Sequence, residues 1–378
     1  MPATSTWRMP TPRWWDAYGA LERPLCLDVR PRAAFAQGHL RHAVSIDGLG
    51  ALRTRFSTLP PRGVPFLVVG ADADLLQTFV PRERWAIVAI VLVDTHVPAD
   101  LLAQATHPVE LLSAAALQRV AAGRWTCDDD PALLFEPAPV VARALAHTPP
   151  TSPLAVLDLG CGAGRDVAYV LTEARRQQRA CRATGVDRWR AALRRAALLM
   201  EDLHVDTDTH GAQVCEALLA YDIQDDGRIK PVRAAGAEDL EACELGVWAT
   251  RLPHARYDMV WVVRFWPRAL LRALPQLVRE GGLLVLSHFA HAPADDVPRR
   301  GAPLAAYASP PIDRRVHAWE IPALLAHWRA HYGPCEVLEQ CIEPVEDGRP
   351  VHSVVVRRGA GPPGASTHHH EPAVGPLG

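Results

Sequence analysis

The chain has 378 residues, a length that predicts two domains plus tails at ~100–200 residues per domain. Basic and acidic residues nearly cancel, 40 against 42, with 49% apolar and 22% charged residues, which excludes collagenous and wholly disordered classes and any field-driven attraction to nucleic acid. Lys230 is the sole lysine, so chemistry that needs several lysines is excluded as well.

An N-terminal extension, 1–20, carries Trp14 and Trp15 and has no apolar signal core; an organelle transit peptide is its competing reading. The first domain is expected over 21–110. Strands are read at 26–29, 43–46, 65–69 and 86–93, with helical stretches at 30–37 and 72–79, and this alternation predicts a small α/β unit. The apolar run 85–93 is the longest in the chain and ends at Asp94, so no transmembrane helix and no membrane partner are expected. The eight cysteines stand singly, a pattern that suits a reducing, cytoplasmic compartment.

The string Leu27-Asp28-Val29-Arg30-Pro31-Arg32, followed by Phe35, Gly38-His39-Leu40 and Ala43, resembles the N-terminal signature of rhodanese domains. That resemblance implies a nucleophilic cysteine directly after the strand at 65–69. The sequence there is Gly70-Ala71-Asp72-Ala73-Asp74, with no thiol and two carboxylates, and Cys26 lies inside a strand. A sulfur carrier needs a stabilised thiolate, so this domain is read as catalytically silent.

A connector follows at 111–133, with a helical stretch over 111–122. The acidic run Asp128-Asp129-Asp130 is read as a solvated run or helix cap rather than a metal cluster, and no metal site is expected. The second domain is expected over 134–358, with a first helix within 132–146.

Its first strand, 155–159, leads into Gly160-Cys161-Gly162-Ala163-Gly164-Arg165-Asp166 and then a helix over 166–179. The spacing G-x-G-x-G departs from the G-x-G-x-x-G of dinucleotide sites, because Arg165 stands where the third glycine belongs. Glycines here let a ligand lie against bare backbone, and Asp158 can hold a cationic amino group. The combination resembles the first motif of Rossmann-like S-adenosylmethionine-dependent methyltransferases, and the string from Asp158 to Asp166 is most like the tellurite-resistance and thiol methyltransferases. The resemblance implies S-adenosylmethionine as cofactor, held by Asp158, Gly160, Cys161, Gly162 and Gly164. It also implies that Asp187, at the end of a second strand over 183–186, binds the ribose hydroxyls. A helix over 189–203 carries Arg188, Arg190, Arg194 and Arg195 on or beside it; these are read as a solvated face, and no nucleic-acid partner is expected.

Residues 204–228 are polar and acidic and read as a surface insertion, which places the third strand at 231–237. By resemblance Asp239 then meets the adenine amino group; an ordinary cap for a helix from Leu240 is the competing reading. A fourth strand, 257–263, runs into Arg264-Phe265-Trp266-Pro267-Arg268. Arg264 and Arg268 are candidate anchors for an anionic substrate, with a solvated role the alternative for Arg268. A helix over 269–279 precedes a fifth strand, 283–286, that ends at Ser287-His288; His288 is read as a pocket wall in preference to a general base. A second insertion, 290–316, is followed by a helix over 318–331 and two strands, 335–342 and 351–356. The resemblance makes these the antiparallel closing hairpin of a seven-stranded sheet. The tail, 359–378, has a disordered composition, and its triplet His368-His369-His370 is read as a compositional accident or tag remnant.

The fold expected is thus α/β: a small rhodanese-like domain, then a Rossmann-like methyltransferase domain. The leading function is methyl transfer to a small molecule, a thiol or chalcogen oxyanion, with the first domain as scaffold or lid. A cofactor-binding protein that recognises a macromolecule through both domains is the second reading, and a sulfurtransferase the third.

Overall fold

The computed structural model describes residues 12–52, 54–79, 85–127, 132–205, 212–232, 241–291 and 296–360. Asp239, Asp128-Asp129-Asp130 and the His368 triplet lie outside the described residues. The chain forms two compact units: Met1–Ala142 with Pro150–Ser152 and Cys161–Ala220, and Arg143–Pro149 with Pro153–Gly160 and Tyr221–Gly378.

In the first unit, β1 (Leu25–Asp28), β3 (Val44–Ser45), β4 (Phe66–Gly70), β5 (Ile87–Val93) and β6 (Val109–Leu112) form a parallel sheet in the order β3-β1-β4-β5-β6. The short β2 (His39–Leu40) and β7 (Trp125–Thr126) pair antiparallel beside it. Alternate residues of the central strands enter two separate cores. Leu25, Leu27, Phe66, Val68, Ile90 and Leu92 pack on one face. Cys26, Leu67, Val69, Ala89, Val91 and Val93 pack on the other. A sheet covered on both faces explains why its strands read as unbroken apolar runs. The fifth strand, β6, was expected inside or before a helix. It is an edge strand with half-exposed residues, so neither apolar continuity nor strict alternation marked it. The helix that follows is only Ala114–Val120, capped by Ser113 Oγ on the Ala116 N–H.

The signature residues of this unit do structural work. Asp28 and Arg30 are 1% and 3% exposed, and the Arg30 guanidinium meets the Asp28 carboxylate at 2.6 Å and the Gly38 carbonyl at 2.9 Å. Gly38 sits at φ 147°, and a Cβ there would fall 2.2 Å from the Trp125 indole nitrogen, so only glycine fits.

Later in the chain come β8 (Leu154–Leu159), β9 (Cys181–Asp187), β10 (Gln213–Ile223), β11 (Ile229–Pro231), β12 (Tyr257–Val263), β13 (Val278–Phe289), β14 (Cys335–Pro344) and β15 (Pro350–Arg358). Within the first unit, β9 and β10 pair in parallel from Cys181 with Gln213 to Asp187 with Ala220. The helix Arg190–Asp202 makes the crossover between them. Within the second unit β8, β12 and β13 are parallel, and β15 and β14 continue from β13 antiparallel.

Three expectations are corrected here. A third parallel strand, β10, lies inside the stretch read as a polar insertion, while residues 233–237 of the strand expected at 231–237 lie outside the described residues. The acids that flank it dominated the composition and hid the apolar centre Ala217-Leu218-Leu219-Ala220. Eight strands rather than seven follow residue 150 among the described residues; the additional one, β11, pairs antiparallel with Tyr221–Ile223. The helix expected over 269–279 is also shorter, Arg268–Ala273, because β13 already begins at Val278.

Candidate functional site

The carboxyl end of β8 opens into the glycine loop, where the backbone conformation dictates the residue type. Gly160, Gly162 and Gly164 have φ of 85°, 54° and 74°, the left-handed region that carries little penalty only without a Cβ. A Cβ on Gly160 would come within 3.1 Å of Phe265, and one on Gly164 within 2.9 Å of the Ala196 Cβ. Among the described residues a Cβ on Gly162 would meet nothing within 4 Å, so the open face of the loop is there. Gly164 is the N-cap of the helix Arg165–Arg176, and its N–H donates to the Cys161 carbonyl at 2.9 Å.

Asp187 ends β9 and faces this loop. One carboxylate oxygen accepts the Gly162 N–H at 2.8 Å and the other accepts the Trp189 N–H at 2.7 Å. A carboxylate offers about four lone-pair positions. Beyond these two bonds it retains acceptor capacity for a pair of hydroxyls. Cys161, Gly162, Gly164 and Asp187 are therefore brought together by direct bonds and packing. Gly185 was read only as part of a strand, yet it is needed for this contact: a Cβ there would lie 2.9 Å from the Cys161 Sγ and from the Leu218 Cδ2. Asp158 is 3% exposed near the end of β8, opposite Trp261 of β12.

Arg264, Arg268 and His288 lie in the second unit, around the ends of β12 and β13. Arg264 takes φ 57°, rare for a residue with a side chain, while its N–H donates to the Ser287 carbonyl at 2.7 Å. Its half-exposed guanidinium meets Glu346 at 2.7 Å. Arg268 is engaged differently. It donates to Glu320 at 2.9 Å and to the carbonyls of Asp313 and Arg315 at 2.9 and 2.8 Å, and so fastens residues 313–315. Glu320, buried, also accepts the Trp266 indole N–H at 2.7 Å. Burial pushes its carboxyl up, but the bonds from Arg268 and Trp266 outweigh burial and hold it below its usual range.

His288 is stacked on Trp266 with centroids 6.0 Å apart, and its Nε2–H donates to the Arg314 carbonyl at 2.8 Å. That bond fixes the tautomer and leaves Nδ1 as a buried lone pair with no hydrogen-bond partner among the described residues. Burial lowers the imidazole pKa to about 4, so the ring is neutral at pH 7.

In the N-terminal sheet, the loop after β4 holds no thiol. Asp72 Oδ1 instead accepts the Asp74 N–H at 2.9 Å. Cys26 is 1% exposed, and burial pushes its thiol well above the usual range, with Asp28 adding to the shift and Arg30 opposing it. Among the described residues no helix is long and apolar enough to cross a membrane.

No family model matches the chain. It is 25% identical over 350 residues to an uncharacterized protein of Schizosaccharomyces pombe, across 88% of this chain and 93% of that one. Among solved structures it is similar to a SAM-dependent methyltransferase from Aquifex aeolicus, at 15% identity and TM-score 0.34 over 57% of this chain and 88% of that one. It is likewise similar to one from Methanosarcina mazei, at 12% identity and TM-score 0.33 over 59% and 98%. The cyclase SpnF is similar at 14% identity and TM-score 0.36, over 59% of this chain and 80% of its own.

Proposed function

We propose that this chain is an S-adenosylmethionine-dependent methyltransferase acting on a small, soft nucleophile such as a thiol or a chalcogen oxyanion. The observation that carries the reading is the glycine loop with Asp187 bonded into it. Three left-handed glycines leave an open backbone face at Gly162, and Asp187 keeps acceptor capacity beyond its bonds to Gly162 and Trp189. Those features fit the ribose and the flexible tail of this cofactor. When bound, the cofactor supplies an activated methyl group on a sulfonium.

The chain's own residues bind and orient. Asp187 holds hydroxyls, and the glycine backbone admits the ligand without a Cβ in the way. His288, neutral and with a pKa lowered to about 4, is a weak base and serves as a wall beside Trp266. An acceptor that arrives as an anion brings its own lone pair and needs no strong base, and in-line alignment then supplies much of the acceleration. Arg264 is the better anchor for such an anion, because its ion pair with Glu346 is exposed, whereas Arg268 is engaged by the buried Glu320 and two carbonyls. We read the N-terminal sheet as a catalytically silent relative of rhodanese, on the grounds of the missing thiol after β4 and the buried Cys26.

Incubation of the full chain with methyl-labelled S-adenosylmethionine and a panel of thiols and selenium or tellurium oxyanions tests this reading. Labelled product is expected from at least one member of the panel. Label transferred only to protein or nucleic acid in a cell extract would overturn the small-molecule assignment.

A further inference from the structure

Between β3 and β4 of the N-terminal sheet lies a short 3-10 turn, Phe56–Thr58, flanked by Arg55 and Leu59. The carbonyls at the ends of so short a turn have few internal donors. Two of them are taken by one distant guanidinium: Arg165 donates from Nε to the Ser57 carbonyl at 3.0 Å and from Nη2 to the Leu59 carbonyl at 3.1 Å. Arg165 is the first residue of the helix that follows the glycine loop, and its guanidinium also lies 5.1 Å over the Phe135 ring. The next residue, Asp166, accepts the Ala138 N–H at 2.7 Å.

The same turn holds the second helix that borders the loop. Asp202, the last residue of Arg190–Asp202, accepts both bonds from the Arg55 Nε at 2.8 and 3.1 Å, and the Thr58 hydroxyl reaches it at 3.5 Å. The pair is largely dry, with side chains 16% and 8% exposed. This helix sits directly on the loop, since a Cβ on Gly164 would strike Ala196 at 2.9 Å and the Met200 Cε at 3.0 Å. A shift of either helix therefore moves the glycine backbone itself.

We infer that the turn at 55–59 is a brace for the glycine loop, with Arg165 and the Arg55–Asp202 pair as positioning residues for cofactor binding. The inference rests on the cofactor reading above and gives the N-terminal sheet a role there that requires no catalysis of its own. The two ties act on one loop through one turn, so their loss is expected to be less than additive.

The test is calorimetric titration of the full chain with S-adenosylmethionine, at a temperature where circular dichroism shows every variant folded. Arg165→Ala and Arg55→Ala are each expected to weaken binding about tenfold, as for a lost charge-assisted pair. Arg165→Lys restores part of it, and the double variant is little worse than either single one. Arg182→Ala, which breaks an exposed pair with Glu216, is expected to leave affinity unchanged. If Arg165→Ala does not fold, Arg165→Lys and Asp202→Asn carry the same comparison. Lower melting temperatures with unchanged affinity would overturn the brace. No binding by the unaltered chain would remove the cofactor reading, and the brace with it.

Discussion

The loops that follow β4 and β8 begin alike, at the carboxyl end of a buried parallel strand with a short helix-forming stretch beyond. After β4 the chain passes through four residues into Leu75–Thr78, Asp72 caps the turn internally, and a Cβ on Gly70 would lie 2.5 Å from the Leu75 Cδ2. After β8 the five-residue connection holds three left-handed glycines, and among the described residues Gly162 faces open space beside the Asp187 carboxylate. The topology is shared, and what separates a closed turn from a ligand cradle is whether backbone stays open next to an acceptor with spare capacity. The backbone tells the same story. Left-handed glycines cluster at 160–164, and the loop at 70–74 has no left-handed residue.

The largest expected effect comes from closing the open loop. Gly164→Ala places a methyl against Ala196 at a φ of 74°, so a loss of about 1–3 kcal/mol in stability is expected together with loss of cofactor binding. Thermal unfolding and titration on the same variant check both. Removing the acceptor while leaving the backbone intact comes next. Asp187→Ala is expected to weaken S-adenosylmethionine binding by about 2 kcal/mol, roughly 30-fold, with the fold retained. Unchanged affinity would show that Asp187 faces something other than the ligand.

The contact between the glycine loop and Asp187 was legible in the sequence because the two lie close along the chain, each at the end of an apolar strand. The brace was not. Arg165 bonds to residues more than a hundred positions away, and Arg55 to one still more distant, so no local pattern links them. In the sequence Arg165 stands out only as the residue that breaks a dinucleotide fingerprint. The strand β10 was missed for a related reason. Acidic neighbours set the average character of 204–228, and only pairing with β9 identifies the apolar centre as sheet. Arg268 was read as an anion anchor from its place beyond a strand end, yet Glu320, far along the chain, is what it binds. The hairpin and the alternating strands of the N-terminal sheet were readable because burial on both faces writes itself into composition.

A smaller effect concerns acid stability. His288 and His352 are both held neutral, burial lowering each pKa to about 4. The unfolded chain takes up protons below about pH 6.5 that the folded chain refuses until about pH 4. Their contribution is therefore complete above pH 6.5 and falls away as the pH drops toward 4. The His352 Nε2 accepts from the Gln340 amide at 2.9 Å, so His352→Gln is expected to flatten the acid limb of a melting-temperature profile. An unchanged slope would mean that His352 is protonated in the fold.

The smallest effects belong to the closed loop. Asp72→Ala is expected to cost under ~1 kcal/mol, because it removes one exposed turn bond, and to leave cofactor binding untouched. Placing a thiol there with Ala71→Cys is expected to give no thiosulfate–cyanide turnover, since two nearby carboxylates disfavour the thiolate. Turnover in that variant would show that the loop lacks only its nucleophile, and the contrast with the glycine loop would shrink to one residue.

The most direct measurement is calorimetric titration of the unaltered full chain with S-adenosylmethionine, beside the Asp187→Ala variant. Saturable binding at a single site, clearly weakened by the substitution, is the expected result. Absence of binding at millimolar cofactor would contradict the assignment.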